Sequence, residues 1–220
     1  MARPRVLITG FGPFPGAPDN PSSWLAESFA AQAALIADAE LHARILPTEW
    51  RAAALIHDLY AALQPILTIH FGLDQHAKGF RIERFAHNSA GVRPDARGAL
   101  PPSPVVKHGG AARLATALPV AKLVRHLKTL GLPAVSSASA GDYLCNFLYY
   151  HALEWADANG RHALFVHIPP VKRGSIFDET ALLRGAQEIL RFALGAGPRP
   201  NQRGGSDVVA AAVTLGAKGA

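Results

Sequence analysis

Cys145 is the only cysteine in a chain of 220 residues. It stands in Ser136-Ser137-Ala138-Ser139-Ala140-Gly141-Asp142-Tyr143-Leu144-Cys145-Asn146, where a short strand passes through small residues into a helix. With Asp142 as the N-cap, Cys145 takes the third helical position. A helix N-terminus carries roughly half a positive charge and several unpaired N–H groups. That setting favours the thiolate, the nucleophilic form of the side chain. The same N–H groups can hold a developing oxyanion. A lone cysteine is also commonly a small buried hydrophobe, so partners must be found before chemistry is assigned to it.

A thiol nucleophile needs a base, usually histidine. The chain has ten histidines, so position must select among them. His167 ends the apolar run Leu164-Phe165-Val166-His167-Ile168-Pro169-Pro170, at the edge where a strand would deliver it to a ligand. A satisfied core histidine is the competing reading. His151 lies six residues beyond Cys145 on the same expected helix; that separation is roughly 600° of turn, and the two side chains face different ways. A third group should orient the imidazole. Glu83, in Phe80-Arg81-Ile82-Glu83-Arg84-Phe85, lies on a strand otherwise expected to be packed. Its bland alternative is a surface ion pair with Arg81 or Arg84.

These residues need a scaffold, and the chain alternates strand and helix signals. Arg5 to Phe11 reads as a buried strand, followed by a turn-rich stretch to Asn20. Pro21 suits the first turn of a helix running to about Ala37. Leu41 to Leu46 is a strand, and Thr48 would cap a helix over Glu49 to Leu63. Ile66 to Phe71 is the next strand. Arg81 to Asn88 alternates as one strand, with Ile82, Arg84 and Ala86 facing one way and Glu83, Phe85 and His87 the other. Ser89 to Pro104 reads as a long excursion or hairpin. Pro119 to Leu130 is an amphipathic helix, Ala134 to Ser137 a short strand and Tyr143 to Asn159 a helix. Ala163 to Ile168 is a strand and Asp178 to Leu194 the last clear helix.

Such alternation predicts an α/β fold, a three-layer α/β/α sandwich on a mainly parallel or mixed twisted sheet. Sheets of this kind bind ligands at the carboxyl ends of their strands, which draws attention to the loops after Phe11, Phe71, Ser137 and Ile168. Residues 1–195 read as one domain. Residues 196–220 read as a linker-like tail with at most a weak helix.

The bulk numbers exclude several classes. About half the residues are apolar (49%), which predicts a folded core. No apolar run reaches the length of a membrane span, and the short apolar stretch after the charged N-terminus reads as a strand, not a signal peptide. The formal charge is +6, yet Lys and Arg are scattered, and no basic run interleaves with aromatics as nucleic-acid binding would require. One cysteine forms no internal disulfide, in keeping with a reducing compartment. The expectation is a cytoplasmic protein without nucleic-acid or membrane partners.

Order and surroundings then join the three side chains. The chain resembles the pyroglutamyl peptidase I (pyrrolidone-carboxylate peptidase) family in four stretches. These are Thr9-Gly10-Phe11-Gly12-Pro13-Phe14-Pro15-Gly16 with Asn20-Pro21-Ser22, Glu83-Arg84-Phe85-Ala86 with Asn88, Ser139 through Asn146 running into Tyr150-His151-Ala152-Leu153, and His167-Ile168-Pro169. They lie in family order between about Val6 and Leu194, and the stretch around Cys145 is the most specific. The resemblance implies a cysteine peptidase that removes an N-terminal pyroglutamyl residue from blocked peptides, with a Cys-His-Glu triad and no cofactor. Carried over residue by residue, Cys145 is the nucleophile, His167 the base and Glu83 its orienting carboxylate. Phe11 and Phe14 match the aromatics that pack on the pyrrolidone ring. Asn20 matches the loop asparagine near the substrate, Gly72 the first glycine of the recognition loop, and Arg93 the arginine that helps the oxyanion site. Family members are cytoplasmic and often tetrameric, so a homo-oligomer, dimer or tetramer, is expected.

Two stretches depart from the family pattern. Gly72-Leu73-Asp74-Gln75-His76-Ala77-Lys78-Gly79 keeps only its first glycine, and Asn88 to Asp95 is one residue shorter, which shifts the alignment at Arg93. Both lie where an acyl group would be recognised, so an altered acyl specificity, or a non-catalytic binding protein on the same scaffold, stands as the alternative. A dinucleotide loop after the first strand is disfavoured, because the third glycine is missing and Pro13 and Phe14 block the backbone. A metal site from His70, His76, Glu83 and His87 matches no standard ligand spacing.

Overall fold

The computed structural model describes residues 3–32, 39–171 and 177–197. In chain order the elements are β1 (Arg5–Phe11), α1 (Pro21–Ala31), β2 (Glu40–Leu46), α2 (Ala52–Leu63), β3 (Leu67–Leu73), β4 (Phe80–Glu83), β5 (Phe85–His87), β6 (Arg113–Ala115), α3 (Val120–Thr129), β7 (Ala134–Ser137), α4 (Leu144–Ala158), β8 (His162–Ile168) and α5 (Glu179–Gly195).

Six strands form one mixed sheet in the order β2-β1-β3-β8-β4-β7. The first four run parallel. β4 pairs antiparallel with β8 and parallel with β7. Period-two alternation sorts each strand between two cores. Val6 and Ile8, Leu67, Ile69 and Phe71, and Leu164, Val166 and Ile168 pack with α1, α3 and α5 on one face. Leu7, Phe11, Ala163 and Phe165 pack with α2 and α4 on the other. The result is the three-layer α/β/α sandwich, and His167, two residues beyond Phe165, lies on the α4 side.

Gly10 brings the first layer together. A Cβ there would lie 1.8 Å from the Ser22 carbonyl oxygen, so only glycine lets the start of α1 approach β1 this closely. Asn20 caps α1 by accepting from the Ser22 N–H at 3.1 Å.

Several expectations shift. α1 ends at Ala31, and residues 33–38, where it was expected to continue, lie outside the described residues. So does 198–220, nearly all of the expected tail. Thr48 does not cap α2, which begins at Ala52 without a side-chain cap. The Thr48 hydroxyl instead donates to the Gly12 carbonyl at 2.9 Å, while the Trp50 N–H is taken by Asp95 at 3.1 Å. The single strand expected over 81–88 is two strands in two sheets, with β5 pairing antiparallel to β6. Arg84 is the break: its N–H bonds Ser137 of β7, and its carbonyl accepts from Thr116 beyond β6. No described helix is long and apolar enough to cross a membrane.

Candidate active site

The side chains come from strand ends and one helix start. On β8, His167 stands opposite Gly72 of β3 and Arg81 of β4. Phe80 and Ile82 belong to the α1-side core, so alternation turns Arg81 and Glu83 to the α4 side, toward His167. The loop after β7 then lays the first turn of α4 over this spot.

Glu83 is fully buried, not a surface residue. The His167 Nδ1–H donates to its Oε1 at 2.8 Å, and the Tyr149 hydroxyl donates to its backbone carbonyl at 3.0 Å. Glu83 Oε2 is buried without a hydrogen-bond partner. Burial works against a charged His167 ring. Attraction to Cys145, together with the hydrogen bonds the ring makes to Cys145 and Glu83, overcomes it and pushes the ring up to about 10. An imidazole held this way stays protonated at neutral pH beside the sulfur and the carboxylate.

Cys145 is the second residue of α4, not the third, because Tyr143 is the N-cap and Asp142 lies outside the helix. No side chain caps this terminus, so its first N–H groups are available near the sulfur. Cys145 is only partly buried. Below it lies Gly72, where an added Cβ would stand 3.1 Å from Sγ and 2.8 Å from the Phe165 ring. Asn146 braces the site from the next position: it accepts from the His87 N–H at 2.8 Å and donates to the His87 and Ser89 carbonyls, each at 2.9 Å.

Cys145 and His167 open onto a cavity of about 430 Å³, whose wall includes Phe11, Phe14, Asn20, Arg81, Arg93 and Tyr143. That size suits a small acyl group with a few aimed polar contacts. Phe11 is nearly buried and packs toward Phe165 with ring centroids 6.3 Å apart. Phe14 sits on a tight turn closed by mutual backbone hydrogen bonds with Ala17. Asn20 donates to the Gly12 carbonyl at 3.0 Å, so this side chain fixes the first loop as well as capping α1. Arg93 stands at the exposed rim, paired with Asp142 at 3.1 Å and stacked 4.5 Å over the Tyr143 ring.

The structure thus brings Cys145, His167 and Glu83 together and sets Phe11, Phe14, Asn20 and Arg93 around the cavity, with Gly72 beneath the thiol. Among the described residues, no three His, Cys, Asp or Glu side chains are grouped to hold a metal ion. His70, the first of the alternative metal set, is buried among the Thr9, Tyr60 and Thr68 hydroxyls, and burial pushes its ring down to about 3. Arg81 and Asp74 were not singled out from the sequence. The signal was there for Arg81, two residues before Glu83 on one strand and hence on its face. Asp74 carried none, being one polar residue in a loop.

A family model described as Pyroglutamyl peptidase matches residues 4–183. The pyrrolidone-carboxylate peptidase of Chromobacterium violaceum is 40% identical over 169 residues, covering 74% of this chain and 77% of that protein. The pyrrolidone-carboxylate peptidase of Clavibacter michiganensis is 34% identical over 208 residues, covering 93% and 96%. A mutant pyrrolidone carboxyl peptidase from Pyrococcus furiosus superposes with a TM-score of 0.80 at 27% identity, covering 87% of this chain and 99% of that one.

Proposed function

The chain belongs to the pyroglutamyl peptidase family, and from that membership we propose that it is a cysteine exopeptidase removing N-terminal pyroglutamyl residues from peptides. The observation that carries the reading is the buried Glu83–His167 pair, in hydrogen-bonded contact with Cys145 at the wall of a small cavity.

In this reading Nδ1 of His167 is committed to Glu83, which leaves Nε2 for the thiol. With the Cys145 proton passed to His167, the sulfur attacks the carbonyl beyond the pyroglutamyl ring. The tetrahedral oxygen is met by the uncapped N–H groups of α4, with Arg93 adding positive charge from the rim. His167 gives its proton to the departing amine, and a thioester to Cys145 remains. Water then enters, loses a proton to His167 and releases pyroglutamate, restoring the starting Cys145–His167 pair. Glu83 holds the ring in one orientation.

The ring itself is small, flat and uncharged. Phe11 and Phe14 supply apolar walls. Asn20 keeps the first loop in shape and has a second Nδ2 hydrogen to offer a lactam carbonyl. Gly72 lets the thiol sit low over the sheet. We read residues 1–195 as one peptidase domain. Its single free thiol suits a reducing, cytoplasmic setting. Self-association as a dimer or tetramer follows from the family alone.

The test is hydrolysis of a pyroglutamyl-aminocoumarin by wild type and by Cys145→Ala, with thermal unfolding run on both. Release by wild type alone, with the variant still folded, is the expected result. Release by neither would sink the acyl assignment. Unfolding of the variant would return Cys145 to the role of a core hydrophobe.

A further inference from the structure

We infer that Arg81 is a positioning residue, whose guanidinium joins the recognition turn after β3, the Glu83 carboxylate and the loop that delivers Cys145 into one frame. The inference rests on the triad reading above and adds a residue that the mechanism has not used.

The guanidinium makes three separate contacts. Nη1 lies 3.3 Å from Asp74 Oδ2. Nη2 donates to the Ser137 hydroxyl at 3.0 Å. Nε, buried and otherwise without a hydrogen-bond partner, lies 3.6 Å from Glu83 Oε1. Each contact reaches a different part of the cavity. Asp74 accepts from the His76 N–H at 2.9 Å, shaping a turn whose next residue, Gln75, donates to the Gly16 carbonyl of the first loop at 3.0 Å. Ser137 donates to the Ser139 carbonyl at 3.1 Å, and the Ser139 hydroxyl accepts from Gly141, three residues before α4. Glu83 holds His167.

Two physical arguments make this more than a surface ion pair. A carboxylate with no solvent exposure is costly unless cations stand beside it. Among the described residues His167 and Arg81 are the cations within ion-pairing distance of Glu83. The contacts also require a planar fork with donors in three directions, which lysine cannot reproduce. The charged and titratable groups facing Arg81 are Asp74 from the turn after β3, Glu83 on its own strand, and His167 across the register of β8; Cys145, His76 and Arg93 share the cavity wall.

The experiment compares wild type with Arg81→Gln, Arg81→Lys and Asp74→Asn. Hydrolysis of the pyroglutamyl-aminocoumarin is measured across pH, with the rate of Cys145 alkylation by iodoacetamide as a substrate-free readout. Removing a positive charge makes every titrating group in the site hold its proton more tightly. Arg81→Gln should therefore move both limbs of the activity profile, and the alkylation profile, to higher pH by roughly half a unit or more. It should also lower kcat by about 10- to 100-fold, the cost of a misplaced reacting group. Arg81→Lys should bring the limbs back while leaving part of the kcat loss. Asp74→Asn, which loosens only the recognition turn, should raise KM with little change in kcat.

An Arg81→Gln variant that is folded and keeps the wild-type profiles overturns the inference. So does a kcat loss without displaced limbs, or limbs that lysine fails to bring back. If wild type does not cleave the substrate, the function reading fails, and the alkylation profiles still decide the role of Arg81.

Discussion

Gly72 sets how low the thiol can sit. The position is glycine because any Cβ would press on both the Cys145 sulfur and the Phe165 ring. Gly72→Ala should cost about 1–3 kcal/mol of stability by overpacking and lower kcat/KM by about tenfold or more. Both numbers come from one preparation, by denaturant unfolding and by fluorogenic assay. Wild-type kinetics in this variant would mean that the sulfur does not depend on the close approach. At this scale much of the site was legible in the sequence. Cys145 after a small-residue loop, His167 at a strand end and Glu83 on a packed strand can each be found by type and position. The family resemblance supplied what joins them, since no local signal links side chains 84 residues apart, the separation of Glu83 and His167. Arg81 was read only as a surface partner for Glu83, because alternation gives the face of a strand residue but not whether that face is covered.

The elements were legible where local chemistry decides and misread where distant chain does. Asp178 caps α5 by accepting from the Ala181 N–H at 2.8 Å, as its position in sequence suggests. Thr48 looked like an equally good cap, but the first loop takes its hydroxyl and Asp95 takes over at Trp50. The alternation over 81–88 runs unbroken through Arg84, so nothing local marks the change of sheet there. The contact between α2 and α4 carries its own pH dependence. His57 and His151 meet across it with ring nitrogens 3.2 Å apart, and Glu154 and Lys107 lie close by. Burial, then the His57 ring, pushes His151 down to about 4 from an ordinary 6.5. The unfolded chain therefore takes up a proton that the folded one refuses between those values, and stability falls as pH drops through that window. His151→Gln should lose less stability than wild type between pH 7 and 4.5, judged by urea midpoints. Buried His70, lowered as well, acts on both proteins alike. Equal losses would show that this helix contact does not sense pH.

At the scale of the whole molecule, the layers and the class of fold follow from the alternation of strand and helix, and the comparisons agree with both. The strand order does not follow, because nothing in the run from Phe80 to Glu83 says that it inserts, reversed, between β8 and β7. That insertion has a kinetic consequence. β1 pairs with β2 and β3 across 35 and 61 residues of chain (Arg5↔Glu40, Val6↔Leu67), whereas β3 and β4 each keep one edge open for β8, across 95 and 82 residues (Leu67↔His162, Glu83↔Phe165). Contacts of such long sequence separation are late to form, since the chain must close a large loop before they contribute. His167 can meet Glu83 only when β8 has docked against β4. In refolding from urea, helical circular dichroism should return before hydrolytic activity, and the delay is a direct clock for that last docking. Simultaneous recovery would mean that the sheet closes as early as the helices form. A chain emerging from the ribosome would meet the same order of events: it could carry its thiol, its carboxylate and most of its helices while remaining an inert precursor until the final strand arrived.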